Sequence, residues 1–271
     1  MEASVRDPAV AGMFYPESAR DLEREIHRLI SQKEPHHELL ACIAPHAGYV
    51  YSGSVAGAVF GHLEVPRKVV ILGPNHTGAG ARVAVAPHRS WRMPDGLQPV
   101  DRSLSARLSD LLPNAEEDAN AHRREHSLEV QIPFLRARQP NLQIAAVCLG
   151  RLSLDECVEL GRGLAELVSK SREPIGLVAS SDMSHYVPDD EARSLDQLAI
   201  DAALARDPAT LYDVVRSNGI SMCGVVPATV VLEAANRLGA QEAHLVAYAT
   251  SGDVSGDRKA VVGYAGICVH H

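Results

Sequence analysis

Two apolar runs without polar alternation, Leu39-Leu40-Ala41-Cys42-Ile43-Ala44 and Val69-Val70-Ile71-Leu72, constrain the fold of this chain more than any other feature. A strand that is apolar on both faces must be covered on both, as in a parallel sheet with helices packed above and below it. Each run gives way to a proline and then a histidine: Pro45-His46 after the first, Gly73-Pro74-Asn75-His76 after the second. Loops leaving parallel strands converge on the carboxyl edge of an open α/β sheet, where ligands and metals are held. Two imidazoles delivered there in the same way read as ligands of one ion.

The rest of the chain continues the strand and helix alternation. Apolar spacing at Leu22, Ile26, Leu29 and Ile30 predicts a surface helix over 18–31, and the small residues of 53–62 predict a helix packed tightly on the sheet. Strands are expected at 39–44, 68–72, 83–86, 143–149, 175–179, 243–250 and 261–269. Helices are expected at 101–112, 126–138, 154–170, 191–205, 209–217 and 224–238. Pro133 implies a kink or a late start in the second of these. Residues 87–99, with Trp91, Pro94 and Gly96, read as an irregular excursion, and the glycine-rich 251–258 reads as a loop. With neither an interdomain linker nor a fixed repeat, the 271 residues are expected to form a single α/β domain with a largely parallel or mixed sheet flanked by helices.

Composition narrows the function classes. The chain is 46% hydrophobic and 22% charged, which suits a soluble globular protein. A net charge of −8 without a basic run argues against a nucleic-acid or anionic-membrane partner. The polar start Met1 to Pro8 gives no expectation of a signal peptide, and no apolar stretch reaches the roughly 20 residues that span a bilayer. Five cysteines without close pairs imply a reducing compartment, so a cytoplasmic protein is expected. Cys42, Cys148, Cys157 and Cys268 lie in apolar runs and read as core residues. The terminal His270-His271 is given no chemical weight.

Five positions fall at expected strand ends or helix starts that share one rim: His46, His76, Asp182, His185 and Cys223. Cys223 precedes the helix expected at 224–238, whose dipole is expected to lower its thiol pKa and favour a metal-binding thiolate. Two neutral imidazoles and one thiolate leave a divalent ion with open positions, the mark of a catalytic rather than a closed structural site. Core packing is the plainer reading of Cys223. Asp182 and His185 read either as a carboxylate-oriented proton shuttle or as a turn cap beside an independent histidine. His126 and Glu129, at i and i+3, share one helix face and point inward together or lie exposed. His27, His36, His37, His62, His88, His122 and His244 read as loop or hydrogen-bonded core residues.

Six blocks in order carry a resemblance: Ala11-Gly12-Met13-Phe14-Tyr15-Pro16, Ala44-Pro45-His46-Ala47-Gly48-Tyr49, Leu72-Gly73-Pro74-Asn75-His76, Glu125-His126-Ser127-Leu128-Glu129-Val130-Gln131, Ser180-Ser181-Asp182-Met183-Ser184-His185 and Met222-Cys223-Gly224. Together they resemble the Memo family, whose prokaryotic members are called AmmeMemoRadiSam system protein B. The resemblance implies a fold like that of the class III extradiol dioxygenases, which hold non-heme Fe(II) with two histidines and a carboxylate. It implies that His46, His76 and Cys223 ligate a metal, that His185 with Asp182 takes the acid/base position, and that His126 lines the pocket, with Tyr51 near its mouth. Cys223 stands where those dioxygenases use a glutamate. A thiolate shifts the preference toward Fe(II), copper or zinc and is itself oxidisable, so catechol cleavage does not transfer with the fold.

The expectation is therefore a metal-binding protein with a His2Cys site, Fe(II) favoured over copper or zinc, performing redox or oxygen-dependent chemistry on an unknown substrate. The name of the bacterial system implies a radical-SAM protein and a small AMMECR-like companion domain as partners. Two alternatives stand beside it: a zinc-dependent hydrolase, and a non-enzymatic module binding phosphopeptide or another acidic ligand through Arg123-Arg124.

Overall fold

The computed structural model describes residues 5–30 and 37–271; Met1 to Ser4 and Ser31 to His36, with the expected end of the first helix at Ser31 and the loop reading of His36, lie outside the described residues. Four parallel strands occupy the middle of a nine-stranded mixed sheet, in the spatial order Ala41–Ala44, Ile175–Ser180, Lys68–Pro74, Gln143–Leu149. Val261–His270 runs antiparallel beside Ala41–Ala44 and pairs in turn with Glu242–Thr250 and His185–Val187. On the far side Val83–Val85 runs antiparallel to Gln143–Leu149, and Ala115–Glu117 closes the sheet.

The unbroken apolar runs are explained by two cores rather than one. Ala41, Ile43, Val70, Leu72, Ala145 and Val147 face the first, under Arg102–Leu111, Leu154–Ser169, Asp189–Leu204, Pro208–Ser217 and Val225–Arg237. Their neighbours Cys42, Ala44, Val69, Ile71, Ile144 and Ala146 face the second, under Ala19–Leu29, Tyr49–His62 and Ile132–Arg138. Successive side chains of a strand point to opposite faces, so every residue of these strands meets hydrocarbon. Cys42, Cys148, Cys157 and Cys268 are buried free thiols within these cores.

Two segments expected to be irregular are ordered. Within 87–99, Ser90–Met93 and Gly96–Pro99 form an antiparallel hairpin that pairs with Val5–Arg6 in a small separate sheet. Trp91 and Met93 are buried while Arg92 between them is exposed, a period-two signal that the flanking prolines and glycine obscured. Within 251–258, Ser251–Ser255 is helical because Thr250 and Asp253 form a reciprocal capping box. The proline-interrupted segment starts late, as a 3-10 turn at Glu129–Gln131 followed by Ile132–Arg138 with Pro133 in its first turn. No described helix is long and apolar enough to cross a membrane.

Candidate metal centre

The carboxyl ends of three parallel strands deliver the rim residues. Ala44 leads to Pro45-His46, Pro74 to Asn75-His76, and Ser180 to Ser181-Asp182. Cys223 arrives from another direction, one residue before the Gly224 cap of Val225–Arg237. That helix end sits directly on the strand end. A Cβ at Gly224 would overlap the Ser180 carbonyl oxygen and the Ser181 side chain, so a side chain there would force the helix end and the strand end apart.

One potential donor atom from each of His46, His76 and Cys223 lies within 4.8 Å of the other two. Cys223 Sγ is 3.2 Å from His46 Nε2, and the His46 and His76 ring centres are 5.1 Å apart with planes at 73°. Two imidazoles bound at about 2.1 Å with a near-tetrahedral angle put their ring centres roughly 5 Å apart, so the residues fit a shared ion with little rearrangement.

Hydrogen bonds decide which nitrogen of each imidazole is available. Ser180 Oγ donates to the Ser127 carbonyl at 2.6 Å and accepts from Gln131 Nε2 at 2.8 Å. Its only remaining role toward His46 Nδ1, 2.9 Å away, is to accept, which places the proton on Nδ1 and the lone pair on Nε2. The amide of Gln131 is oriented by the same logic, because its Nε2 also donates to the Pro45 carbonyl. For His76, Nδ1 donates to Glu125 Oε1 at 2.8 Å, again freeing Nε2. Such partners fix a ligand's tautomer and ring orientation.

Charge and burial set the protonation states. Burial, reinforced by His76, His126 and His185, lowers the pKa of His46 well below the ordinary range, so its ring is neutral. Glu125 is fully buried, which by itself would raise its pKa. The His76 hydrogen bond and charge and the Ser127 backbone N–H outweigh that burial and hold its carboxyl at about 2. It also accepts from the backbone N–H groups of His76, His126 and Ser127. Cys223 departs from the sequence expectation. Desolvation, with the Asp182 charge, pushes its thiol up despite the helix terminus and the Asp182 N–H at 3.3 Å, so burial outweighs the dipole until a cation stabilises the thiolate.

The expected Asp182–His185 pair is oriented through other groups. Asp182 is buried, and its Oδ1 accepts the His46 backbone N–H at 2.7 Å, bracing the first histidine loop; burial raises its pKa to about 6. His185 Nδ1 donates to the Ser221 carbonyl at 3.0 Å, which leaves Nε2 as an acceptor. Its neighbour Tyr186 holds a left-handed φ of 60° and is 78% exposed, backbone strain of a kind concentrated at functional sites. His126 stacks on His76 with ring centres 4.7 Å apart and meets Phe14 edge-on at 4.8 Å. Its expected companion Glu129 is directed elsewhere, accepting from Arg6, Tyr15 and the backbone of Ala9 and Val10, and so anchors the segment that presents Phe14. Tyr51 is exposed in the first turn after the His46 loop.

Glu125, Ser180 and Gln131 were assigned no role from sequence, although all three lie inside the quoted blocks. Their contribution depends on contacts 49 to 134 residues apart along the chain. The one local signal is an acid just before a helix start, where capping carboxylates collect.

The family described as Memo-like protein matches residues 6–268. The chain belongs to the Memo family. A MEMO1 family protein of Methanosarcina barkeri is 42% identical over 267 residues, covering 98% of this chain and all of its own length. A MEMO1 family protein of Aquifex aeolicus is 41% identical over 266 residues, covering 97% of this chain and 98% of the relative. Among solved structures, an uncharacterized protein of Escherichia coli K12 matches with a TM-score of 0.57 at 15% identity, covering 85% of this Memo chain and 99% of that one. That likeness concerns the fold alone.

Proposed function

We propose that this Memo protein binds a redox-active transition metal through His46 Nε2, His76 Nε2 and Cys223 Sγ, and serves redox or oxygen-dependent chemistry on a small substrate. The observation that carries the reading is the convergence of one donor atom from each of these three residues within 4.8 Å, with both imidazoles held at Nδ1 by Ser180 and Glu125 so that Nε2 is the available nitrogen. Imidazole and thiolate donors suit Fe(II), copper or zinc and not magnesium or calcium, with Fe(II) favoured. When bound, the ion would supply a Lewis-acidic, redox-active centre with coordination positions left open.

The chain's own groups have defined tasks in this scheme. His185, with Nδ1 held by the Ser221 carbonyl, accepts or returns a proton at Nε2. His126, stacked on His76 and touching Phe14, forms a wall against which a planar or apolar substrate rests. Asp182 keeps the His46 loop in place through the backbone N–H groups of His46 and Ala47.

The test is metal quantification after anaerobic purification, on the wild type beside His46→Ala, His76→Ala and Cys223→Ala, followed by oxygen-uptake measurements with a reductant. About one iron or copper per chain, lost in all three variants and accompanied by oxygen uptake, supports the reading. Tightly held zinc with no oxygen uptake under any reductant overturns its redox part.

A further inference from the structure

A second group of histidines converges at the opposite edge of the sheet. Val261–His270 runs antiparallel to Ala41–Ala44, with Val269 beside Ala41, so its last residue lies at the amino end of the strand whose carboxyl end leads to His46. His244 pairs in register with Cys268, two residues before His270, so His244 and His270 are diagonal neighbours on one face. His37 reaches them from the short strand His37–Glu38, which pairs with Leu63–Glu64 directly after the helix ending at His62.

We propose that His37, His244 and His270 form a second, imidazole-only binding site for a divalent transition metal of the zinc class, with His62 as a candidate fourth ligand. One ring nitrogen from each of the three lies within 4.8 Å of the others. His244 Nδ1 and His270 Nε2 are 3.2 Å apart, close to the roughly 3.3 Å separating two nitrogens on a tetrahedral ion. Ring centres are 5.3 Å apart for His244 and His270, and 5.4 Å for His37 and His244. These match the His46–His76 spacing. The third pair does not, since His37 and His270 stack at 3.8 Å, and ligation requires His37 to turn until that stack opens to about 5 Å.

The orienting bonds resemble those of a ligand shell. His270 Nδ1 points at the His271 carbonyl at 3.2 Å, and donation there leaves Nε2, the nitrogen facing His244 Nδ1, to act as the acceptor or ligand atom; His62 Nδ1 lies 2.8 Å from the Ala58 carbonyl. Burial and the surrounding His270, His37 and His62 lower the pKa of His244 against the charge of Glu242, which favours its neutral form. A donor set of imidazoles selects zinc, copper, nickel or cobalt and rejects magnesium and calcium. An ion here would tie the His37–Glu38/Leu63–Glu64 pair to the strands Glu242–Thr250 and Val261–His270, a structural role independent of the rim.

Cobalt titration of the metal-stripped full chain tests this, because thiolate ligation adds an intense charge-transfer band that imidazole ligation lacks. The expected result is an equivalent of cobalt bound without that band in the wild type, lost from both His244→Gln and His270→Gln and kept in Cys223→Ser. Its absence from the wild type, or its survival in both histidine variants, overturns the site. Nitrogen NMR of the imidazoles in zinc-loaded wild type reads the same ligation without substitution: His244 and His270 resonances moving as zinc is added up to two equivalents support it, and resonances still unmoved at that point overturn it. Neither readout depends on the rim binding any metal.

Discussion

The two histidine clusters sit at opposite edges of one sheet and are held by different means. At the rim, His76 is backed by a buried carboxylate and His46 by a hydroxyl that is itself fixed by Gln131 and Ser127, and the third donor is a thiol. At the far edge every donor is an imidazole, and His62 and His270 are oriented by main-chain carbonyls. Side chains recruited from distant elements give the rim charge, softness and a fixed tautomer. Carbonyls that belong to the local fold give the far edge orientation without charge. The first arrangement suits an ion whose reactivity must be tuned, the second an ion that holds elements together.

The largest test of this contrast is removal of a ligand. His76→Ala or Cys223→Ala should take the rim from about one ion per chain to none while leaving the far-edge equivalent intact, as read by metal analysis after gel filtration. Loss of both ions together would show that the clusters are not independent.

The next effect is the pH dependence of affinity. Burial raises the Cys223 thiol pKa, so at neutral pH a proton must leave before the thiolate can bind. Below that pKa, rim affinity should therefore rise about tenfold per pH unit, or about 100-fold from pH 6 to 8. His244 has a lowered pKa and so has less proton left to displace over that range than a thiol whose pKa is raised, and the far edge should change less than the rim. Competition titrations with a chromophoric chelator at pH 6, 7 and 8 measure both slopes; equal slopes would remove the distinction between thiol and imidazole sites.

The two clusters were unequally legible. The rim could be approached from sequence because a strand apolar on both faces identifies a parallel sheet, and a histidine just past such a strand lands on a known edge. Cys223 and His185 followed from the same argument about helix starts and strand ends. The far edge depends on the antiparallel register of Glu242–Thr250 against Val261–His270, and a two-residue period fixes the face a side chain takes but not which residue of the partner strand lies beside it. Hence His37, His62 and His244 read as ordinary loop or core residues, and His270 as a terminal residue of no account. The hairpin at Ser90–Met93 escaped for a related reason: Trp91 and Met93 carry a two-residue alternation too short to stand out between prolines.

Replacing the carboxylate behind His76 should have an intermediate effect. Glu125→Gln keeps the shape but weakens the bond that fixes Nδ1–H, and loss of such a partner typically reduces metal affinity about 10–100-fold. Saturating metal should still restore one ion per chain. Glu125 also links stability to acid, since its folded pKa of about 2 lies below the ordinary 4.5. That contribution is complete above about pH 4.5 and is lost as pH falls toward 2, so urea midpoints of the wild type should fall more steeply over this range than those of Glu125→Gln. A pH slope unchanged by the substitution would mean that the carboxylate is not the group responsible.

Ser180→Ala should have the smallest effect and the most specific one. It removes the acceptor for His46 Nδ1–H and, with it, a partner of Gln131 Nε2 and the donor to the Ser127 carbonyl. Gln131 already buries an Oε1 with no hydrogen-bond partner among the described residues, so the network has little spare capacity to re-form. A neutral hydrogen bond contributes about 0.5–1.5 kcal/mol, which corresponds to roughly a 2–10-fold weaker rim affinity once the His46 tautomer is no longer fixed. A loss larger than that of Glu125→Gln, measured in the same competition assay, would reverse the ranking: the neutral relay behind His46, rather than the carboxylate behind His76, would then be the main determinant of how tightly the rim holds its ion.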